Sequence, residues 1–221
     1  MAKNSRFWVM LLACGPGLAW PAVLAAQPAA WKFAVFGDCI TYADPGVNTN
    51  IVRELAAAVA NERVAFLVLA GDFSFWGDAA GLQAWTNAAS PLCEAGIPVF
   101  PVVGNHDLAD MSAYTNIVAA NVPTNGPPGE ERTTYALTYS NALLLMINNF
   151  APSNLYRLNQ TWVDQVLATN AQPHVFVIGH VPAFKVYHND CLGTYVTNRD
   201  VFWNSLSNAH CQLYLSGHDH F

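Results

Sequence analysis

An α/β fold, with central sheets flanked by helices, is predicted by three observations. Short apolar runs recur and end on polar residues, as in WKFAVFGD, VAFLVLAGD and IPVFPVVGNHD. Stretches of helical character separate them. The chain is also long and apolar enough, at 221 residues and 53% hydrophobic, to bury a full core, and one domain is the default.

The elements follow in order. WKFAVFGD, VAFLVLAGD and IPVFPVVGNHD read as buried strands whose C-terminal ends deliver polar side chains. NTNIVRELAAAVANE and AAGLQAWTNAASPLCEA read as the helices between them, the first built from good helix formers after an Asn-Thr-Asn start. DMSAYTNIVAAN is a further helix, and VPTNGPPGEER is a turn-rich loop. TTYALTYS and NALLLMINNF form a hairpin around Ser140–Asn141. NQTWVDQVLATN is a helix, HVFVIGH a buried strand, DVFWNSLSNA a short helix, and CQLYLSGHDH a last strand with its exit.

The N-terminus has the character of an export signal. Residues 1–26 carry Lys3 and Arg6 without an acid, then an apolar run, then small residues before Gln27. Gly15, Pro16, Gly17 and Pro21 interrupt that run and disfavour a membrane-spanning helix. LLAC also resembles a bacterial lipoprotein box ending at Cys14, so a lipid anchor is an alternative. Either reading places the mature protein in the periplasm or outside the cell. Cys39, Cys93, Cys191 and Cys211 then remain, with a Cys191–Cys211 disulfide or free thiols as the alternatives. The net charge of −6 argues against a nucleic-acid platform but leaves local phosphate binding open.

Polar residues cluster where the strands end. Asp38, Asp72, Asn105 with His106, His180, and His218 with His220 each follow an apolar run and a glycine. In α/β sheets, ligands collect outside the carboxyl ends of the strands, and glycine there allows a sharp turn or a close approach. One Gly-Asp is most often a turn, whereas five such exits are hard to assign to turns alone. Carboxylate, amide oxygen and imidazole together suit Mn, Zn or Fe. A pair of such ions activates water and clamps an in-line displacement at phosphorus.

GD at 37–38, GD at 71–72, GNHD at 104–107, GH at 179–180 and GHDH at 217–220 resemble the ordered motifs of calcineurin-like metallophosphoesterases, which include purple acid phosphatases. The resemblance spans residues 31–221, which it marks as one phosphoesterase domain, and it implies that family's layered fold. It implies hydrolysis of phosphoesters, monoesters before diesters, by hydroxide activated at two divalent or mixed-valence metal ions. Asp38, Asp72 and His220 would hold the first ion; Asp72, Asn105, His180 and His218 would hold the second. His106 would be the general acid, oriented by Asp107. Asp219 would point away.

Two departures bear on the first ion. Ile40 and Phe75 stand where many relatives carry a histidine and purple acid phosphatases a tyrosine, and neither side chain ligates a metal. Tyr42, water or substrate would complete that ion's shell, and the protein is expected to be colourless. The same departures support an alternative, a non-catalytic metal-binding relative that recognises a phosphorylated ligand or partner. Relatives usually continue past GHDH, so a chain ending at Phe221 is expected to be C-terminally incomplete. His174 and His210 read as surface or packed residues, and His188, in FKVYHNDCLG after a motif that enters the site, is a candidate for the substrate rim. Phe73, Phe75 and Trp76 read as core or as a wall for the leaving group; Arg132 and Lys185 are the cations nearest the rim and read first as solvated loop charges.

Overall fold

The computed structural model describes residues 30–152 and 154–220. The proposed leader 1–26 and Cys14 lie outside the described residues, as does Phe221.

Two sheets carry the site. The first is parallel, with β1 (Ala34–Phe36), β2 (Leu67–Leu69) and β3 (Val99–Pro101) in that order. The second has the order β4 (Tyr135–Tyr139), β5 (Ala142–Met146), β6 (His174–Ile178) and β7 (Leu213–Leu215). Only its β4–β5 pair is antiparallel, a hairpin closed where Tyr139 pairs with Ala142. Ser140 takes φ 52° at that turn, and the Trp31 Nε1–H donates to Asn141 Oδ1 at 2.9 Å. β5 is buried along its whole length, which explains its unbroken ALLLM run.

Aromatic side chains join the sheets. Phe33 packs on Phe176 across 5.4 Å, Phe66 meets Tyr139 at 5.2 Å, and the buried Tyr135 hydroxyl donates to Pro101 O at 2.8 Å. Phe66, Leu67, Val68 and Leu69 of the β2 segment are fully buried beneath these contacts.

The helices are α1 (Thr49–Asn61), α2 (Ala79–Ala88), α3 (Ser90–Glu94), α4 (Met111–Ile117), α5 (Gln160–Ala168) and α6 (Val196–Asn208). Asn48, Asp78, Asp110 and Asn159 cap α1, α2, α4 and α5 through their side-chain oxygens. The single helix expected from AAGLQAWTNAASPLCEA is divided into α2 and α3. Pro91, which lacks an N–H, sits in the first turn of α3, where that donor is not needed. The α6 helix runs longer than the short DVFWNSLSNA stretch, beginning at Val196.

The Cys191–Cys211 disulfide is not present: Cys39, Cys93, Cys191 and Cys211 are all free. Cys191 is buried before a short 3-10 turn at Leu192–Tyr195, while Cys211 directs its thiol to Leu213 O at 3.3 Å. Among the described residues, no helix is long and apolar enough to cross a membrane.

Candidate metal centre

The exits of β1 and β2 are pinned to each other before either presents a ligand. Asp38 N donates to Gly71 O at 3.0 Å and Cys39 N to Asp72 O at 2.9 Å. Asp38, Asp72 and His218 then take left-handed backbone angles, with φ of 54°, 58° and 73°. Non-glycine residues adopt that region at a cost and cluster at functional sites. The turn thus falls largely on the polar residues, and Gly104 and Gly217 are needed instead for close approach. A Cβ at 104 would lie 2.1 Å from Asp72 Oδ1, and one at 217 would lie 2.5 Å from Asp38 Oδ2.

All six residues expected as ligands come together. Asn105 Oδ1 lies 3.0 Å from His180 Nε2 and 2.9 Å from His218 Nδ1. His180 Nε2 is also 3.4 Å from Asp72 Oδ2. Ligand atoms of Asp38, Asp72 and His180 all lie within 4.8 Å of one another. His220 Nε2 is 3.4 Å from Asp38 Oδ1, and the His218 amide donates to the same oxygen at 3.0 Å.

The chemistry of these donors fits a cation. His180 Nδ1 faces Ala70 O at 2.7 Å, and a carbonyl can only accept, so Nδ1 carries the proton. In the neutral ring Nε2 is then a lone pair directed at the oxygens of Asn105 and Asp72. Three acceptors facing one another require a proton or a metal ion between them. Burial opposes a charged His180, yet the hydrogen bond and attraction of Asp72 raise its pKa to about 9. Burial likewise opposes ionisation of Asp72, but His180 and the His106 amide hold its carboxyl below the usual range. The same negative field that retains a proton on His180 would retain a divalent ion in its place.

His106 stands beside this cluster. Its amide donates to Asp72 Oδ1 at 3.0 Å, and its Nδ1 lies 2.9 Å from Phe75 O. The carbonyl therefore fixes the proton on Nδ1 and leaves Nε2 as the exchangeable atom. Asp107 does not take the orienting role expected of it. Its fully buried carboxylate accepts from Asp72 N at 3.0 Å, Phe73 N at 3.0 Å and Gly104 N at 2.8 Å. It clamps the β2 exit to the β3 exit, because three inward-facing amides there have no strand partner. Burial and the neighbouring Asp72 raise its carboxyl to about 7, against the pull of those amides.

Phe73 is core, whereas Phe75 and Trp76 reach the rim. Phe75 packs on His106 at 4.6 Å and on Tyr42 at 4.6 Å, and Tyr42 is 82% exposed. His174 and His210 are exposed at the surface.

Two supporting residues, Asn149 and Asp190, escaped the sequence reading, and a third, Asp219, was given no partner there. Asn149 Oδ1 accepts from His180 N at 2.9 Å and Val181 N at 3.3 Å, holding the β6 exit. Two asparagines directly after the apolar β5 were the available signal. Asp219 lies between the candidate ligands His218 and His220, and its carboxylate accepts from His188 N at 2.8 Å and Tyr187 N at 3.3 Å. Asp190, from the same loop, reaches His218 Nε2 at 3.1 Å. Nothing in the local pattern of residues 187–190 marks that contact.

Residues 32–221 match the family model described as calcineurin-like phosphoesterase. Among solved structures, the fold is similar to the GAP50 anchor in the inner membrane complex of Plasmodium. That match has 20% identity and a TM-score of 0.55, covering 86% of this chain and 66% of the other. It is also similar to a dimetal phosphatase from Danio rerio, at 16% identity and a TM-score of 0.59, covering 86% of this chain and 82% of that one. This chain therefore spans just under two thirds of the Plasmodium protein. No curated protein matches the sequence.

Proposed function

The chain belongs to the calcineurin-like phosphoesterase family, and we propose that it is a phosphatase that hydrolyses phosphoesters, monoesters in preference to diesters. The observation that carries this reading is the approach of His180 Nε2 and His218 Nδ1 to one oxygen of Asn105, at 3.0 and 2.9 Å, beside the Asp72 carboxylate. The likeness to the Danio rerio dimetal phosphatase supports it at the level of the fold.

Asp38, Asp72 and His220 would hold one ion, and Asp72, Asn105, His180 and His218 the other. Mn, Zn and Fe suit this mixture of carboxylate, amide and imidazole. Ions bound there supply Lewis-acid charge that polarises a phosphoryl group and acidifies water. The chain's own residues do the rest. Asp72 orders both halves of the site, since its carboxylate faces His180 and accepts the His106 amide. His106, held through its Nδ1–H by Phe75 O, would in its imidazolium form give the Nε2 proton to the leaving oxygen and return to the neutral ring. Asp107 keeps the two loops at the spacing this requires. Tyr42, Phe75 and Trp76 form an apolar rim for the departing group. The charged, small-residue character of segment 1–26 supports export to the periplasm or cell exterior, with lipidation at Cys14 as the variant of that reading.

A second reading is a metal-binding relative that recognises a phosphorylated ligand without turnover. Ile40 and Phe75 favour it, as does the likeness to a Plasmodium anchor protein; the available Nε2 of His106 argues against it. Metal content by mass spectrometry, paired with hydrolysis of a chromogenic phosphoester in Mn, Zn or Fe, separates the two. Turnover that tracks metal loading is expected. Full loading without turnover would establish the binder.

A further inference from the structure

Ile40 and Phe75 stand where the resemblance expects metal ligands, and the fold gives both another task. Ile40 forms an antiparallel bridge with Val47, which closes residues 41–46 into a short loop. Gly46 O accepts from Thr41 N at 3.1 Å within that loop and from Phe75 N at 2.8 Å beyond the β2 exit. Ser74 Oγ adds a bond to Pro45 O at 3.4 Å. From the loop held in this way, Tyr42 is 82% exposed while its ring meets Phe75 at 4.6 Å. Phe75 in turn meets His106 at 4.6 Å and Trp76 at 4.8 Å, and Trp76 is 48% exposed. An aromatic surface thus runs outward from the candidate general acid and ends on two rings open to solvent. Exposed apolar residues scattered singly need no explanation, whereas a contiguous group beside a candidate site does.

We propose that Tyr42, Phe75 and Trp76 form a stacking platform that selects phosphoesters with a planar, uncharged aromatic leaving group. This deepens the phosphatase reading above and rests on it. His106 marks where the leaving oxygen sits, so the group attached to that oxygen extends over Phe75 toward Tyr42 or Trp76. An aromatic ring placed there gains offset or edge-to-face contacts that a saturated ring of the same size does not. Backbone bonds already hold the loop, so little conformational freedom is lost when a ring settles on it. Residues 41–47 and 73–78 contain Asp44 and Asp78 but no Lys or Arg. A leaving group with its own carboxylate or phosphate therefore finds no cation on these two segments.

The test compares benzyl with cyclohexylmethyl compounds, which match in size and whose parent alcohols differ little in acidity. Apolar burial alone would favour the saturated ring. Calorimetry of the full chain, loaded with Mn or Zn, against benzylphosphonate and cyclohexylmethylphosphonate reads the platform without turnover. Hydrolysis of the corresponding phosphate monoesters reads it in kcat/KM. The benzyl compound is expected to lead by about 3–10-fold in both, the worth of an aromatic pair beyond its buried area. Tyr42→Ala should bring both ratios close to one, and Tyr42→Phe, which keeps the ring, should preserve them. Tyr42 is largely exposed, so neither variant opens the core. A benzylphosphonate bearing a ring carboxylate should bind more weakly than the parent, and tighter binding would overturn the uncharged class. Equal binding of the two rings, binding of neither, or an unchanged ratio in Tyr42→Ala would overturn the platform. Loss of metal in Tyr42→Phe would overturn it too and make Tyr42 a ligand of the first ion. If benzylphosphonate is preferred but neither ester is hydrolysed, the platform stands and the phosphatase reading fails. If both esters are hydrolysed at equal kcat/KM, that reading stands and the platform fails.

Discussion

Asn105 Oδ1 and His218 Nδ1 lie 2.9 Å apart although 113 positions separate the two residues. One leaves β3 of the first sheet and the other follows β7 of the second, so their contact depends on how the sheets pack. His180, after β6, reaches the same oxygen. The junction of two sheets, more than any single loop, builds the site.

The role proposed for His106 leaves the candidate ligand set intact. His106→Ala is expected to lower kcat by about 10²–10⁴-fold, the range for general acid–base help. Metal content by mass spectrometry should stay at the wild-type level, since the His106 side chain is tied to Phe75 O and not to the other ligands. Parallel loss of metal would assign His106 to the ligands instead.

Gly104 tests the need for close approach. A Cβ there would sit 2.3 Å from Asp72 N as well as 2.1 Å from Asp72 Oδ1, both within a clamped, buried turn. Gly104→Ala should destabilise the protein by about 1–3 kcal/mol, as overpacking does. It should also weaken metal binding measured by calorimetry, because Asp72 must move. Wild-type affinity would show that the turn relaxes freely.

Asp107 is expected to matter through stability. Asp107→Ala leaves the amides of Asp72, Phe73 and Gly104 without their acceptor, and a loss of about 3 kcal/mol or more in urea unfolding is expected. Its pH dependence has a defined sign. A carboxyl raised from 3.8 to about 7 on folding gives a contribution present below the unfolded value and lost as pH rises through the folded one. In metal-free protein, wild type should therefore lose stability relative to Asp107→Asn between pH 4 and 8. A gap that is flat in pH would contradict this.

Removing metal should uncover the mutual repulsion of the site's acceptors. Chelation is expected to lower the melting temperature, and resupplying ion at a hundred times its Kd should restore about 2.7 kcal/mol. His180→Ala should abolish most of that response. Identical melting curves with and without chelator would show that the cluster holds no ion.

The thiols give a check on the fold away from activity. Burial pushes the Cys39 thiol up to about 12, so almost none is the reactive thiolate at neutral pH. Exposed Cys93 should label first with a thiol reagent, while buried Cys39 and Cys191 should label only on unfolding. Peptide mass spectrometry reads the order. Rapid labelling of Cys39 in the native protein would place it elsewhere.

Much of this site was legible in the residues alone. Asp38, Asp72, Asn105, His180 and His218 each follow an apolar strand, and strand periodicity with its polar exit is a local property. Parallel strands send those exits to one edge, so the approximate meeting of the candidate ligands follows from sequence. The hairpin at Ser140–Asn141 and the start of α1 at Asn48 are local in the same sense. Asp107 shows where that reading stops: its neighbour His106 suggested a partner, yet the carboxylate serves amides 34 and 35 positions away. The positive φ of Asp38 and Asp72, the Asn149 bracket on His180 and the return of Asp190 to His218 were decided only in three dimensions. They arise because buried amides and imidazoles must find partners among whatever packing brings near. Such partners are set by the arrangement of two sheets and carry no local pattern.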